Sequence, residues 1–342
     1  MIPTCDTGAF MGAIDRFVEM KVLVIGDVIV DEYIWGTVRR ISPEAPVPVV
    51  NVTREEQLLG GAANVIHNII TAGGQAVLTG VIGQDRMGRA IVRMLGKLGS
   101  DPSGLVVDKG RPTTKKTRIV AHAQQVVRFD REQTADLDER LQEKMLDFVR
   151  SGLDGLDAVI IQDYGKGVIS PAFMNGLRAV LDGKDVLVAV DPQVGHFHLY
   201  RDMSVITPNH FETEAGAGMA IDSEERLIEA GRKLMRWLRL RYVVVTRGEK
   251  GMTLFEKRRP PVTIPSEARE VFDTSGAGDT VIAILTLGLA AGLSLTEAAV
   301  LSNYAAGIVC GKLGTASVTA EELKAAVESG AARAGVRRRI LR

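Results

Sequence analysis

Cysteine is nearly absent: Cys5 and Cys310 are the only two in 342 residues. Two thiols so far apart make neither a disulfide framework nor a Cys-rich metal site, which favours a reducing compartment. An excess of charge of one sign is also missing. Lys plus Arg and Asp plus Glu number 42 each, so no overall field draws the chain to nucleic acid. Long hydrophobic runs are lacking too. The longest, Val281 to Leu293, is too short to cross a bilayer. The opening stretch MIPTCDTGAFMGAIDRF has no basic segment followed by a long apolar core, so no signal peptide is read there. The expectation is a cytoplasmic protein with neither a membrane nor a nucleic acid as partner. There is no GxxxxGK(S/T) loop and no clean GxGxxG after a strand, which disfavours P-loop NTPases and Rossmann dehydrogenases. His196 and His198 have no ligand partners at metal-site spacing and are read as loop residues.

What is present has soluble globular proportions, 25% charged and 46% hydrophobic. KVLVIGDVIVDEY opens as a buried strand ended by Gly26. Two β-like stretches of different character follow, about 33–57 and 112–131. PVPVVNVT in the first carries prolines that suit an edge strand. The two stretches are expected to pair as a small sheet standing off the body. From about Leu141, the apolar runs DAVIIQDYG, KDVLVAVDP, SVITPN and RYVVVTRG alternate with helical segments. That pattern predicts a parallel sheet with right-handed crossovers. Ligands of such sheets lie beyond the carboxyl ends of the strands, which singles out Asp163, Asp191, Asn209 and Thr246. The expected fold is α/β: a central, mostly parallel sheet flanked by helices, with a small β lid, all in one domain spanning 1–342. Residues 330–342 read as a basic tail.

The most informative segment is DTSGAGDT, Asp273 to Thr280. Gly276, Ala277 and Gly278 carry little or no side chain, so backbone N–H groups can crowd around an anion. The apolar run that follows, if helical, points its positive end at the same anion. Asp279 then stands beside a bound phosphate, placed to take a proton from an attacking hydroxyl. This is a design for phosphoryl transfer to an alcohol. The alternative is a Gly-rich turn opening a core helix.

DTSGAGDT closely resembles the C-terminal signature of the ribokinase-like (PfkB) carbohydrate kinases, and GGAANVIHNI resembles their N-terminal signature. The resemblance implies a ribokinase-like fold and an ATP- and Mg²⁺-dependent sugar kinase. Asp279 would be the base, with Gly276, Ala277 and Gly278 forming the anion hole. Gly60, Gly61, Asn64, Asp31 and, beside it, Asp27 would contact the sugar. TPNHFE resembles the family's N-x-x-E motif and puts Asn209 and Glu212 near Mg²⁺, largely through water. Thr246, Gly248 and Gly251 would line the ATP site and Asn303 the adenine, while Lys312 is equally a surface lysine. Asp273 matches an acid that in many relatives helps hold a monovalent cation, which makes K⁺ a candidate.

Five segments resemble more narrowly the subgroup that phosphorylates D-glycero-β-D-manno-heptose 7-phosphate on the ADP-heptose route to lipopolysaccharide core. They are RISPEAPVPVV, LGGAANVIHNI, KTRIVAHAQQVVRFDRE, QDYGKGVIS and AAGIVCGKLGTASVT. The resemblance spans roughly 21–319. It implies transfer to the 1-hydroxyl, and cations for the acceptor phosphate: Arg118, Arg128 and Lys166, with Asp163 at the same corner. Gln193 stands where relatives commonly carry lysine, which removes one cation from that region. No nucleotidyltransferase segment follows, so the expectation is a stand-alone kinase, with a homodimer through the lid. The competing readings are a family member acting on another sugar or sugar phosphate, and a sugar-binding regulator without catalysis.

Overall fold

The core forms on both faces of one sheet, because its strands alternate between them. In β1 (Lys21–Gly26), Val22 and Val24 enter one apolar cluster and Leu23 and Ile25 the other. A strand covered on both sides must be apolar wherever it is buried, as β1 is from Val22 to Gly26. The structure is a computed structural model that describes residues 7–122, 124–268, 272–312 and 314–340. Cys5 lies outside them, whereas Cys310 is a buried free thiol.

After β1 the strands are β2 (Val28–Ile41), β3 (Pro48–Gly61), β4 (Gln75–Gly83), β5 (Leu105–Asp108), β6 (Thr114–Ala121) and β7 (Gln124–Arg131). They continue as β8 (Ala158–Gln162), β9 (Leu187–Asp191), β10 (Val205–Ile206), β11 (Tyr242–Thr246), β12 (Met252–Glu256) and β13 (Val262–Ile264). The helices are α1 (Thr7–Arg16), α2 (Ala62–Thr71), α3 (Arg86–Lys97), α4 (Glu139–Gly152) and α5 (Pro171–Leu181). They continue as α6 (His210–Ala217), α7 (Glu224–Leu238), α8 (Ala277–Ala290), α9 (Leu295–Cys310) and α10 (Ala320–Ile340). The large sheet has nine strands in the order β13-β12-β11-β10-β9-β8-β1-β4-β5. All pairs from β11 to β5 are parallel, and β12 and β13 close one edge antiparallel. The four expected runs are β8 to β11. α1, α2, α8, α9 and α10 cover one face, and α4, α5 and α7 the other.

The lid is a second sheet of four strands, β3-β2-β6-β7. Its hairpins are antiparallel and β2 pairs β6 in parallel. The lid strands start earlier than expected, at Val28 rather than near residue 33. Val28 and Val30 belong to the core of the main body, so apolar patterning does not mark where the sheet changes. The proline-bearing β3 is an edge strand, as read. The stretch taken as a basic tail continues α10 as helix to Ile340. Among the described residues no helix is long and apolar enough to cross a membrane.

Candidate active site

α8 starts at the carboxyl ends of β1, β8 and β9. It is apolar on all sides and buried from Asp279 to Gly288, as a helix in a core must be. Its first turn therefore holds Asp279 at 2% exposure. A carboxylate in that position needs donors, and three reach it. Asn64 Nδ2 donates to Oδ2 at 2.7 Å, while Gln162 Nε2 and the Tyr164 hydroxyl donate to Oδ1, each at 2.9 Å. The other Gln162 amide proton goes to Asp191 at 2.7 Å. One amide thus bridges two acids, which fixes its orientation, since a flipped oxygen would face both carboxylates. Burial pushes the Asp279 carboxyl up to about 7; nearby Asp191 adds to this, while the Asn64 and Tyr164 hydrogen bonds oppose it. Burial likewise lifts Asp191 to about 6. An acid poised near neutral beside a second acid is equipped to take and release a proton.

The glycines before Asp279 serve different needs. Gly276 is left-handed at φ 79°, and a Cβ there would lie 2.7 Å from Asn64 Nδ2. A side chain at this position would push away a donor to the base. Gly278 is exposed, and the nearest atom to a Cβ built there is Asp191 Oδ2 at 3.9 Å. Nothing inside the protein requires glycine at Gly278, so its value lies in open access to the backbone. No side chain caps α8, and its first-turn N–H groups have no intrahelical acceptor. Asp273 shapes the approach by accepting the N–H of Ser275 at 2.8 Å and of Gly314 at 3.1 Å.

On the acceptor side the structure reassigns several residues. Asp27 accepts the backbone N–H of Tyr164 at 2.8 Å, Lys166 at 3.0 Å and Val168 at 3.4 Å. Burial, then Asp163, raises its carboxyl to about 6. Asp163 accepts from the Tyr200 hydroxyl at 2.7 Å, pairs with His196 Nδ1 at 2.8 Å and accepts the Gly165 N–H at 2.8 Å. Both acids, expected at the sugar, hold the 163–168 corner and so position Tyr164. Gly60 and Gly61, also read as sugar contacts, meet close approaches within the chain. A Cβ at Gly60 would sit 2.2 Å from Asp31 Oδ2, and one at Gly61 2.4 Å from the Asp27 carbonyl, with φ at 56°.

The three expected cations all have acidic partners. Arg118 pairs with Asp31, Lys166 with Glu132 at 2.8 Å and Arg128 with Asp130 at 3.1 Å. A fourth was missed. Lys116 of β6 lies 4.4 Å from the centre of the Tyr164 ring. Burial lowers its pKa, as do Arg128, Arg118 and Lys166, against the pull of Asp31. Among the described residues no ion pair holds its ammonium group. Tyr164 and Gln162 were missed as well, although the strand-end rule that singled out Asp163 passes directly over them.

On the far side of Asp191 lies the expected nucleotide region. Asn209 and Glu212 form a reciprocal cap at the start of α6. Asn209 Oδ1 accepts the Glu212 N–H at 2.9 Å, and Glu212 accepts the Asn209 N–H at 2.7 Å. Burial, then Asp191, lifts Glu212 to about 7. Two raised acids, one of them lifting the other, suit a hydrated divalent cation between them, and one Glu212 oxygen stays outside the cap. Thr246 ends β11 and bridges to Asn209; Gly248 is exposed just beyond it. Gly251 is required by the fold, because a Cβ there would meet the Ile264 carbonyl at 2.0 Å. Asn303 is buried and donates to the Pro265 carbonyl at 2.7 Å, so it supports the chain after β13. Lys312 is tied to Glu322 and the Ser317 carbonyl. Among the described residues no three His, Cys or acidic side chains form a metal cluster.

A family model described as pfkB family carbohydrate kinase matches residues 19–322. The chain is 41% identical over 322 residues to a protein from Pelobacter propionicus named "Bifunctional protein HldE", covering 94% of this chain and 66% of that one. It therefore spans about two thirds of that relative's length. Among solved structures, Arabidopsis thaliana ribokinase complexed with ribose and ATP superposes with a TM-score of 0.72 at 19% identity, covering 90% of this chain and 98% of its own. Escherichia coli phosphofructokinase-2 in complex with potassium gives 0.75 at 18%, covering 91% and 98%. The fold is ribokinase-like.

Proposed function

The chain belongs to the pfkB family of carbohydrate kinases, and we propose that it moves the γ-phosphoryl group of ATP to the 1-hydroxyl of D-glycero-β-D-manno-heptose 7-phosphate. The observation that carries this reading is the buried Asp279, held by Asn64, Gln162 and Tyr164 beside the open backbone of Gly278. Asp279 takes the proton of the sugar hydroxyl. The first-turn N–H groups of α8 receive charge building on the transferring group. Mg²⁺, when bound with ATP, supplies neutralisation of phosphate charge; Glu212 and Asp191, with water between, are the residues that fit it. Asp273 is the candidate for a K⁺ neighbour. Closure of the lid excludes water, which would compete as acceptor.

The choice of acceptor rests on charge and on the segments that resemble heptose 7-phosphate kinases. A sugar phosphate brings a dianion, and Lys116, Arg118, Arg128 and Lys166 gather around the lid corner. The unpaired Lys116 leads this group, because the other three must first loosen a carboxylate. The exposed apolar residues of β7, Val126, Val127 and Phe129, suit a second copy of the chain on the lid. The test is a transfer assay across sugar 7-, 6- and 1-phosphates and neutral sugars. The expected result is the highest kcat/KM for the heptose 7-phosphate, with the product phosphorylated at C1. A neutral sugar or a 6-phosphate turning over faster contradicts the proposal.

A further inference from the structure

At the end of β11 opposite Thr246, the last turns of α7 and the β12–β13 hairpin enclose a cleft of about 750 Å³. Its apolar lining is Met235, Leu240, Phe255 and Pro260. Six cations surround it: Arg232, Arg236, Arg239, Lys257, Arg258 and Arg259. Two are neutralised, Arg239 by a two-pronged contact to Asp202 and Arg259 by Glu256 at 3.3 Å. Arg232, Arg236, Lys257 and Arg258 have no acidic partner among the described residues. Four unpaired cations in one cleft stand out in a chain whose formal net charge is zero.

Two structural explanations account for part of this. Cations are favoured near a helix C-terminus, which covers Arg236 and Arg239. Surface arginines are often merely solvated. Neither explains the hairpin, which brings Lys257 and Arg258 to face α7. Nor does either explain the backbone. Four described residues other than glycine have positive φ, and three are here: Asp202 at 64°, Arg239 at 56° and Arg258 at 65°. Glycine fits such positions without steric conflict, yet arginine occupies two of them, and strained backbone gathers where side chains must be aimed.

We infer that this cleft is a second anion site that takes a small oligophosphate-bearing molecule, such as a nucleoside di- or triphosphate. Guanidinium forks match phosphate oxygens in pairs, the apolar floor accepts the less polar body, and the volume is that of a small-molecule pocket. A nucleic acid backbone is the less fitting occupant, because the cleft is enclosed on an apolar floor.

The experiment is calorimetric titration of the full chain with inorganic tripolyphosphate and with ATP. It compares wild type, Gly278→Val, the triple variant Arg232→Gln/Arg236→Gln/Arg258→Gln, and Arg258→Gly. Wild type should show two tripolyphosphate-binding events. Gly278→Val should lose the one at α8. The triple variant should weaken the other by about a thousandfold or more, the sum expected of three charge-assisted contacts, with kcat unchanged. Arg258→Gly suits the left-handed backbone, so it should fold at least as well as wild type and bind tripolyphosphate about tenfold more weakly. The inference is overturned by a single event that Gly278→Val abolishes, by full affinity in both arginine variants, or by a single-stranded oligonucleotide binding the cleft more tightly than tripolyphosphate.

Discussion

The nine-stranded sheet and the lid sheet meet at one cleft and bring opposite charges to it. The large sheet is rigid by construction: β8 is buried at all five positions. The lid's β7 is exposed at all eight. At its carboxyl ends the large sheet carries Asp27, Asp191 and, on the adjoining helix, Asp279, whose carboxyls burial lifts to about 6, 6 and 7. The lid carries Lys116, Arg118 and Arg128 over that acidic floor. On the proposed function, chemistry that needs positions held closely would sit on buried elements, and recognition of an anionic acceptor on the more exposed lid. Lys116 on the Tyr164 ring, and Tyr164 on Asp279, join the two.

Breaking the floor should have the largest effect. Asp279→Asn keeps the size of the side chain and one accepting oxygen, puts an amide NH2 in place of the other, and cannot take a proton. Steady-state kinetics should show kcat lower by about 10²–10⁴-fold with ATP binding largely retained; near-normal turnover would remove Asp279 from its role. Gly278→Val comes next. A β-branched side chain would cover the backbone over which phosphate must pass, and loss of such donors costs about 10²–10³-fold in kcat. The Cβ has room, so thermal melting should show an intact fold, and an active variant would refute the cradle.

Changes in the lid should act on the acceptor instead. Lys116→Met should raise KM for heptose 7-phosphate by roughly 10–150-fold, the range for one charge-assisted contact, and leave KM for ATP close to wild type. Arg128→Ala and Lys166→Ala should shift it less, because both cations are already paired. The reverse ranking would show that the paired cations, rather than Lys116, read the phosphate.

The smallest effect concerns stability. Asp27, Asp191, Asp279 and Glu212 all have carboxyls higher in the folded chain than their ordinary values of 3.8 or 4.5. Such groups take up protons on folding. Their contribution is present below those ordinary values and is lost as pH rises through about 6 to 7. Removing one of them by Asp279→Asn should therefore raise Tm, relative to wild type, by about 2–4 °C more at pH 8 than at pH 5. Equal differences at the two pH values would mean that Asp279 is not held protonated by its burial.

The start of α8 and the buried acid in its first turn were legible because they depend on local chain: two glycines, an alanine and an acid opening an apolar helix. The parallel strands were legible from their apolar runs. What stayed hidden depends on side-chain direction. Asp27 and Asp163 end strands just as a sugar ligand would, yet they turn inward to backbone N–H groups and to His196 and Tyr200. Gly251 and Asn303 look like nucleotide contacts until the Ile264 and Pro265 carbonyls are seen beside them. Lys116 escaped notice because its partner, Tyr164, is 48 residues away in sequence, and only the packing of the lid sheet against the corner brings them together.

The division of labour between floor and lid is tested most directly by one ratio: kcat/KM for heptose 7-phosphate over kcat/KM for the dephosphorylated heptose, in wild type, Lys116→Met and Asp279→Asn. The ratio should fall at least about tenfold in Lys116→Met. It should stay at the wild-type value in Asp279→Asn, although both of its rates drop. An unchanged ratio in Lys116→Met, or a collapsed one in Asp279→Asn, would contradict the account.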